Sequence, residues 1–112
     1  MTRKEERLQS ECFQWFWNNF PDERRMLFHV DNNSWNEIIG ARKKALGVCA
    51  GVSDFIYIRP GKLILFMEAK VPGGEQSEYQ KEFERKVAER GFLYLTFNSF
   101  EDFQDIIFKL HE

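Results

Sequence analysis

Between residues 51 and 70, two apolar runs flank the turn Arg59-Pro-Gly-Lys62: Phe55-Ile-Tyr-Ile58 before it and Leu63-Ile-Leu-Phe-Met67 after it. Short apolar runs bounded by a Pro-Gly turn read as the two strands of a β-hairpin, predicted over 54–58 and 62–69. Side chains alternate along a strand, so Glu68 and Lys70 project from one face at the end of the second strand. Antiparallel pairing lays the start of the first strand beside the end of the second. Asp54 therefore joins Glu68 and Lys70 at one end of the sheet. Charges at the edge of so apolar a unit are costly unless they pair or hold a metal.

The rest of the chain supplies elements to surround that hairpin. Residues 3 to 19 read as a first helix, with Leu8, Cys12, Trp15 and Phe16 at helical spacing. Glu11 lies three residues after Leu8 and four before Trp15, so a carboxylate is expected inside the apolar stripe, while Glu5 and Glu6 read as solvated charges. Pro21-Asp22 ends the helix. Met26-Leu-Phe-His-Val30 is a short strand, followed by a polar turn at 31–33. Ser34 with Glu37 has the spacing of a capping box. The second helix it opens turns Ile38, Ile39 and Leu46 inward and Arg42, Lys43 and Lys44 outward, and Gly47 stops it.

Val71-Pro-Gly-Gly74 breaks the chain after the hairpin. Ser77 to Arg90 reads as a third helix with Tyr79, Phe83 and Val87 spaced by four, closed by Gly91. Phe92-Leu-Tyr-Leu-Thr-Phe97 is almost uninterruptedly apolar, as in a strand covered on both faces. Ser99 caps a last helix that turns Phe103, Ile106, Ile107 and Leu110 inward. The order helix, strand, helix, strand, strand, helix, strand, helix predicts one α/β domain over 1–112. Its mixed central sheet of about four strands is flanked by helices.

Twelve Phe and three Trp in 112 residues argue for a packed core and against disorder. No apolar run approaches the roughly 20 residues that span a bilayer, and the first residues lack a signal-peptide core, so a soluble, cytoplasmic protein is expected. Cys12 and Cys49 have neither disulfide density nor metal-ligand spacing and read as reduced, buried thiols. The net charge of −2 gives no global attraction to nucleic acid. Residues 1–47 carry eight Lys/Arg against seven Asp/Glu, and residues 48–112 eight against eleven, so a basic surface is local. Adjacent basic residues include Arg24-Arg25 and the longest run, Arg42-Lys43-Lys44.

Asp54, Glu68 and Lys70 have the composition of a divalent-metal hydrolytic site. Mg2+ takes a few carboxylate oxygens and keeps waters for a substrate phosphate. A bound cation stabilises charge on a phosphorus under attack and lowers the pKa of a bound water. A neighbouring lysine orients that water or stabilises the developing charge. The Ala69 carbonyl could ligate if the strand bends. A strand-end lysine bridging two acids for purely structural reasons is the competing reading, and Glu-x-Lys alone does not separate the two.

Asp54, some fourteen residues before Glu68-Ala-Lys70, resembles the signature of the PD-(D/E)xK nuclease superfamily. More narrowly, Ala50-Gly-Val-Ser-Asp-Phe55, Phe66-Met-Glu-Ala-Lys-Val-Pro-Gly-Gly74 and Gln76-Ser-Glu-Tyr-Gln-Lys-Glu-Phe83 resemble the VRR-Nuc (virus-type replication-repair nuclease) pattern over about residues 40–100. Ser53 stands where that family often has Pro. The resemblance implies a restriction-endonuclease-like core and a Mg2+- or Mn2+-dependent DNA endonuclease in a bacterial or phage-type cytoplasmic setting. Asp54 and Glu68 would bind metal, with Glu11 as the first-helix ligand. Lys70 would be the catalytic lysine, and Gln80 would lie beside it. Ser77-x-x-Gln80 is equally a plain capping box. Branched or four-way junction DNA cut by a homodimer is the implied substrate and assembly. Arg42, Lys43 and Lys44 become candidate phosphate contacts, with His29 at the end of the first strand within reach of the site. A catalytically silent nucleic-acid-binding module on the same fold is the alternative. A nucleotide hydrolase would normally carry a Gly-rich phosphate loop, and none is present.

Overall fold

A computed structural model describes residues 2–31 and 36–112. The first helix, α1 (Arg3–Asn19), starts where the Thr2 hydroxyl accepts from the Glu5 N–H. One turn of 3-10 helix, Pro21–Glu23, leads to β1 (Leu27–His29), and α2 (Glu37–Ala45) follows. The hairpin strands are β2 (Phe55–Arg59) and β3 (Leu63–Ala69). Then come α3 (Glu78–Glu89), β4 (Leu93–Phe97) and α4 (Phe100–Leu110). The element order is the one the sequence predicts. The proposed Ser34 cap lies outside the described residues. The cap of α2 in the structure is Asn36, whose side chain accepts from Ile39 N–H.

The sheet order is β1-β2-β3-β4, antiparallel across the first two pairs and parallel between β3 and β4. The parallel pair is joined through α3, as a crossover between parallel strands requires. Alternation along β3 divides the molecule into layers. Leu65, Met67 and Ala69 face a core shared with Leu8, Cys12 and Phe16 of α1 and Phe103 and Ile107 of α4. Phe66 faces the other way and packs edge-on against Phe83 of α3. Burial pushes the Cys12 thiol up to about 12, which leaves it an apolar core group. Cys49, expected to be buried, is exposed.

Two expectations about packing are corrected. Ile38 and Leu46 of the α2 region are 69% and 85% exposed, and α2 buries no residue. β4 is an edge strand, with Leu93 partly in solvent and only Phe97 fully buried. At the sheet end remote from Asp54, a polar cluster ties the chain terminus down. Glu23 accepts from the Tyr57 hydroxyl and pairs with Arg59 and His111, and Arg59 also donates to the Leu110 carbonyl. Burial works to raise the Glu23 carboxyl. The bonds to Tyr57 and His111 and the Arg59 charge outweigh it and hold the group below its ordinary value.

Candidate active site

Strand register brings the hairpin charges together. Phe55 pairs with Met67, so Asp54, one residue outside β2, stands across from Glu68. Asp54 is held from two sides. Its Oδ2 accepts from the Ala69 N–H at 2.7 Å, and its carbonyl accepts from Val30 N–H at 3.0 Å. Ser53 is fully buried and donates to the Phe55 carbonyl at 3.0 Å, fixing the entry to the strand by a hydrogen bond. The contact made at Ala69 is through its N–H. Burial raises the Asp54 carboxyl and nearby Glu5 raises it further, against the opposing pull of the Ala69 N–H, His29 and Lys70.

Glu68 is 1% exposed. Gln76 Nε2, from the connection before α3, lies 3.4 Å from Glu68 Oε2, while Glu68 Oε1 is buried with no hydrogen-bond partner. Burial raises this carboxyl too. The Asp54 charge adds to the effect, and the Tyr94 hydroxyl, Lys70 and Gln76 oppose it. Gln76 also donates to Glu84 at 3.0 Å and lies 3.4 Å from the Tyr94 hydroxyl. These three residues form a polar shell behind Glu68 that sequence reasoning missed. No periodicity marks Gln76, which sits in the connection between β3 and α3.

Lys70 Nζ is 3.6 Å from Glu5 Oε2, and the Thr2 hydroxyl donates to the other Glu5 oxygen at 3.1 Å. Glu5 is buried. Glu11, expected in this role, is exposed, about 9 Å further along the helix axis at 1.5 Å per residue. The α1 carboxylate at the site is therefore Glu5, and the reading of it as a solvated charge is corrected. A usable signal was present, since Thr2-x-x-Glu5 has capping-box spacing.

Glu5, Asp54, Lys70, His29, Gln76 and Gln80 line a single open cavity of about 600 Å³. The Gln80 side chain closes the capping box of α3: its Oε1 accepts from Ser77 N–H at 2.8 Å, and the Gln80 backbone N–H donates to Ser77 Oγ. Gln80 therefore serves as a cap and borders the cavity. His29 Nδ1 is 2.8 Å from the Asp54 carbonyl oxygen, and Gln9 Nε2 lies at the same distance. Lys43 and Lys44 line a second groove of about 560 Å³, and Ala50 and Tyr79 line both it and the first. Arg42 is exposed on the same helix and does not line that groove. Tyr79, expected in the core, is 65% exposed.

Among the described residues, no three His, Cys, Asp or Glu side chains are grouped as a preformed metal cage. Asp54 lines the cavity and Glu68, its cross-strand neighbour, is buried behind the cavity wall with one unpartnered oxygen; the two supply hard oxygen donors of the kind that suit Mg2+ or Mn2+. Mg2+ is commonly held by one or two carboxylates, with water and substrate phosphate completing its shell. No helix among the described residues is long and apolar enough to cross a membrane.

No family model and no curated protein matches the chain. A solved "VRR_NUC domain protein" shares the fold, with a TM-score of 0.68 and 22% sequence identity over 92% of this chain and 84% of the other.

Proposed function

We propose that the protein is a metal-dependent DNA endonuclease in which Asp54 and Glu68 hold Mg2+ or Mn2+ and Lys70 acts on the scissile phosphate. The observation that carries this reading is the register-enforced opposition of Asp54 and Glu68, with the Glu68 Oε1 left unpartnered in a buried position. An orphaned buried carboxylate oxygen is costly in a fold with no use for it. The fold shared with a VRR_NUC domain protein supports the same reading.

When bound, the cation supplies Lewis acidity at the phosphate and lowers the pKa of its water. The chain's own residues position the reactants. The Ala69 N–H fixes Asp54, and the Gln76 shell aims Glu68. Glu5 orients the Lys70 ammonium, which then stabilises charge developing on the phosphate oxygens and orients the attacking water. Glu5 takes the place given to Glu11 as the first-helix carboxylate. Lys43 and Lys44 contact backbone phosphates, with Arg42 further out and His29 at the cavity wall.

Branched or four-way junction DNA is the proposed substrate. Paired incisions across a junction require two sites, hence a homodimer. The test is incubation with labelled junction and linear duplex in Mg2+ or Mn2+, with sedimentation of the free protein. Cleavage of the junction that is lost in Asp54→Ala and Lys70→Ala supports the reading. Absence of cleavage, or cleavage indifferent to both substitutions, overturns it. The second reading, a catalytically silent binding module on the same fold, predicts junction binding without incision.

A further inference from the structure

We propose that Tyr79 is a stacking platform for an unpaired nucleobase, so that the enzyme engages DNA carrying a single-stranded segment beside the scissile bond. This rests on the nuclease reading above and, among the branched substrates proposed there, selects those with an unpaired arm over a fully paired four-way junction.

Tyr79 lies in the first turn of α3, at the point where the two cavities meet. On one side are Asp54 and Lys70, and on the other Lys43 and Lys44. A strand passing from the lysine groove to the carboxylate cavity crosses the Tyr79 ring. Its spacing with Phe83 and Val87 suits an inward residue, yet Tyr79 is 65% exposed. Its backbone is nonetheless fixed from two directions. Gly51 has φ +86°, and a Cβ there would stand 2.4 Å from both the carbonyl carbon and the oxygen of Tyr79. On the other side, the Ser77–Gln80 capping box locks the same turn. An exposed aromatic residue on a closely packed, capped backbone, between the lysines proposed to bind phosphate and the proposed hydrolytic site, is what stacking of a base requires. Within a duplex both faces of each base are already covered by neighbouring pairs, so only an unpaired nucleotide offers a free face.

The test measures binding in Ca2+, to a blunt duplex and to the same duplex bearing a single-stranded overhang that contains 2-aminopurine. The wild type should prefer the overhang and quench its fluorescence. Tyr79→Ala should weaken overhang binding by roughly tenfold or more, abolish the quenching and so erase the preference for the overhang over the blunt duplex. Tyr79→Phe should behave as wild type. Tyr79→Gln, a good helix former, repeats the loss independently of any helix effect. Overhang binding and quenching by Tyr79→Ala equal to wild type overturns the stacking role alone. Failure of the wild type to bind either DNA or a four-way junction overturns the nuclease reading with it.

Discussion

Lys70 Nζ lies 3.6 Å from Glu5 Oε2, so the lysine at the end of β3 is tied to the first turn of α1. The pair is largely withdrawn from solvent and is anchored on its acidic side by the Thr2 hydroxyl. A long, flexible side chain is thereby held toward the cavity that Asp54 also lines. Helix α1 thus contributes to the site as well as covering the sheet.

Glu5→Gln should reduce cleavage by about 10- to 100-fold, the usual cost of removing a group that orients a metal site or its partner. Glu11→Gln should leave cleavage near wild type, because Glu11 is exposed on another face of the helix. Single-turnover rates for the two variants make the comparison. The opposite ranking would restore Glu11 to the site.

The acidity of the two strand carboxylates has a consequence for stability. Burial raises both Asp54 and Glu68, a nearby carboxylate adds to each, and Lys70 and the hydrogen-bond donors offset only part of it. The folded state therefore holds these protons more tightly than the unfolded chain does. That stabilisation is fully present in acid and is lost as pH rises from the ordinary carboxylate range through the raised folded values. Without metal, Glu68→Gln should melt higher than wild type at pH 7.5, by roughly a few degrees. The gap should close near pH 4. Added Mn2+ should stabilise the wild type and not the variant, since it binds only the folded site. Thermal melts across pH, with and without Mn2+, read all three outcomes.

Much of this arrangement was legible in the sequence, for identifiable reasons. The hairpin, the breaker at 71–74 and the caps at Ser77 and Ser99 each agree with local chemistry, so the element order followed. The confusion of Glu5 with Glu11 was avoidable. At about 100° per residue, Glu5 falls within the stripe of Leu8, Cys12 and Phe16, while Glu11 is about 100° round from Cys12. The outward apolar residues of α2 were not avoidable in the same way. Periodicity shows which residues share a face but not whether another element covers it, and the same limit hid the exposure of Tyr79 and of the β4 edge. Gln76 was invisible because its role depends on Glu84 and Tyr94, which meet it only in the folded chain.

Gly51→Ala should destabilise the protein and disable the site together. The position has φ +86°, and the new methyl would press on the Tyr79 backbone, which cannot yield as a flexible side-chain tip would. Strain of this kind costs on the order of 1–3 kcal/mol. For a chain of this size each kcal/mol lowers the melting temperature by about 4–8 °C. Relief of the clash would move the Gly51–Asp54 segment away from α3, so cleavage should fall even well below the melting point. A variant that melts lower but cuts normally would separate the loop from the chemistry.

Gln76→Leu should impair cleavage through Glu68 without unfolding the chain. The Gln76 amide stands between two acids, donating to Glu84 at 3.0 Å and lying 3.4 Å from Glu68 Oε2. Leucine is close in size but offers no donor, which leaves the Glu68 carboxylate with neither oxygen paired to Gln76 and nothing between it and Glu84. Because Gln76 works to lower the Glu68 pKa, its removal makes the carboxylate harder to ionise. The acidic limb of the pH–rate profile should therefore move to higher pH, and Mn2+ affinity should drop by about 10- to 100-fold. Rates at high pH and saturating Mn2+ should recover toward wild type, since both conditions drive Glu68 to its charged form. Glu84→Gln should shift the limb little or in the opposite direction, because it removes a negative charge from the same shell. A profile unmoved by Gln76→Leu would mean that Glu68 is aimed by its strand alone.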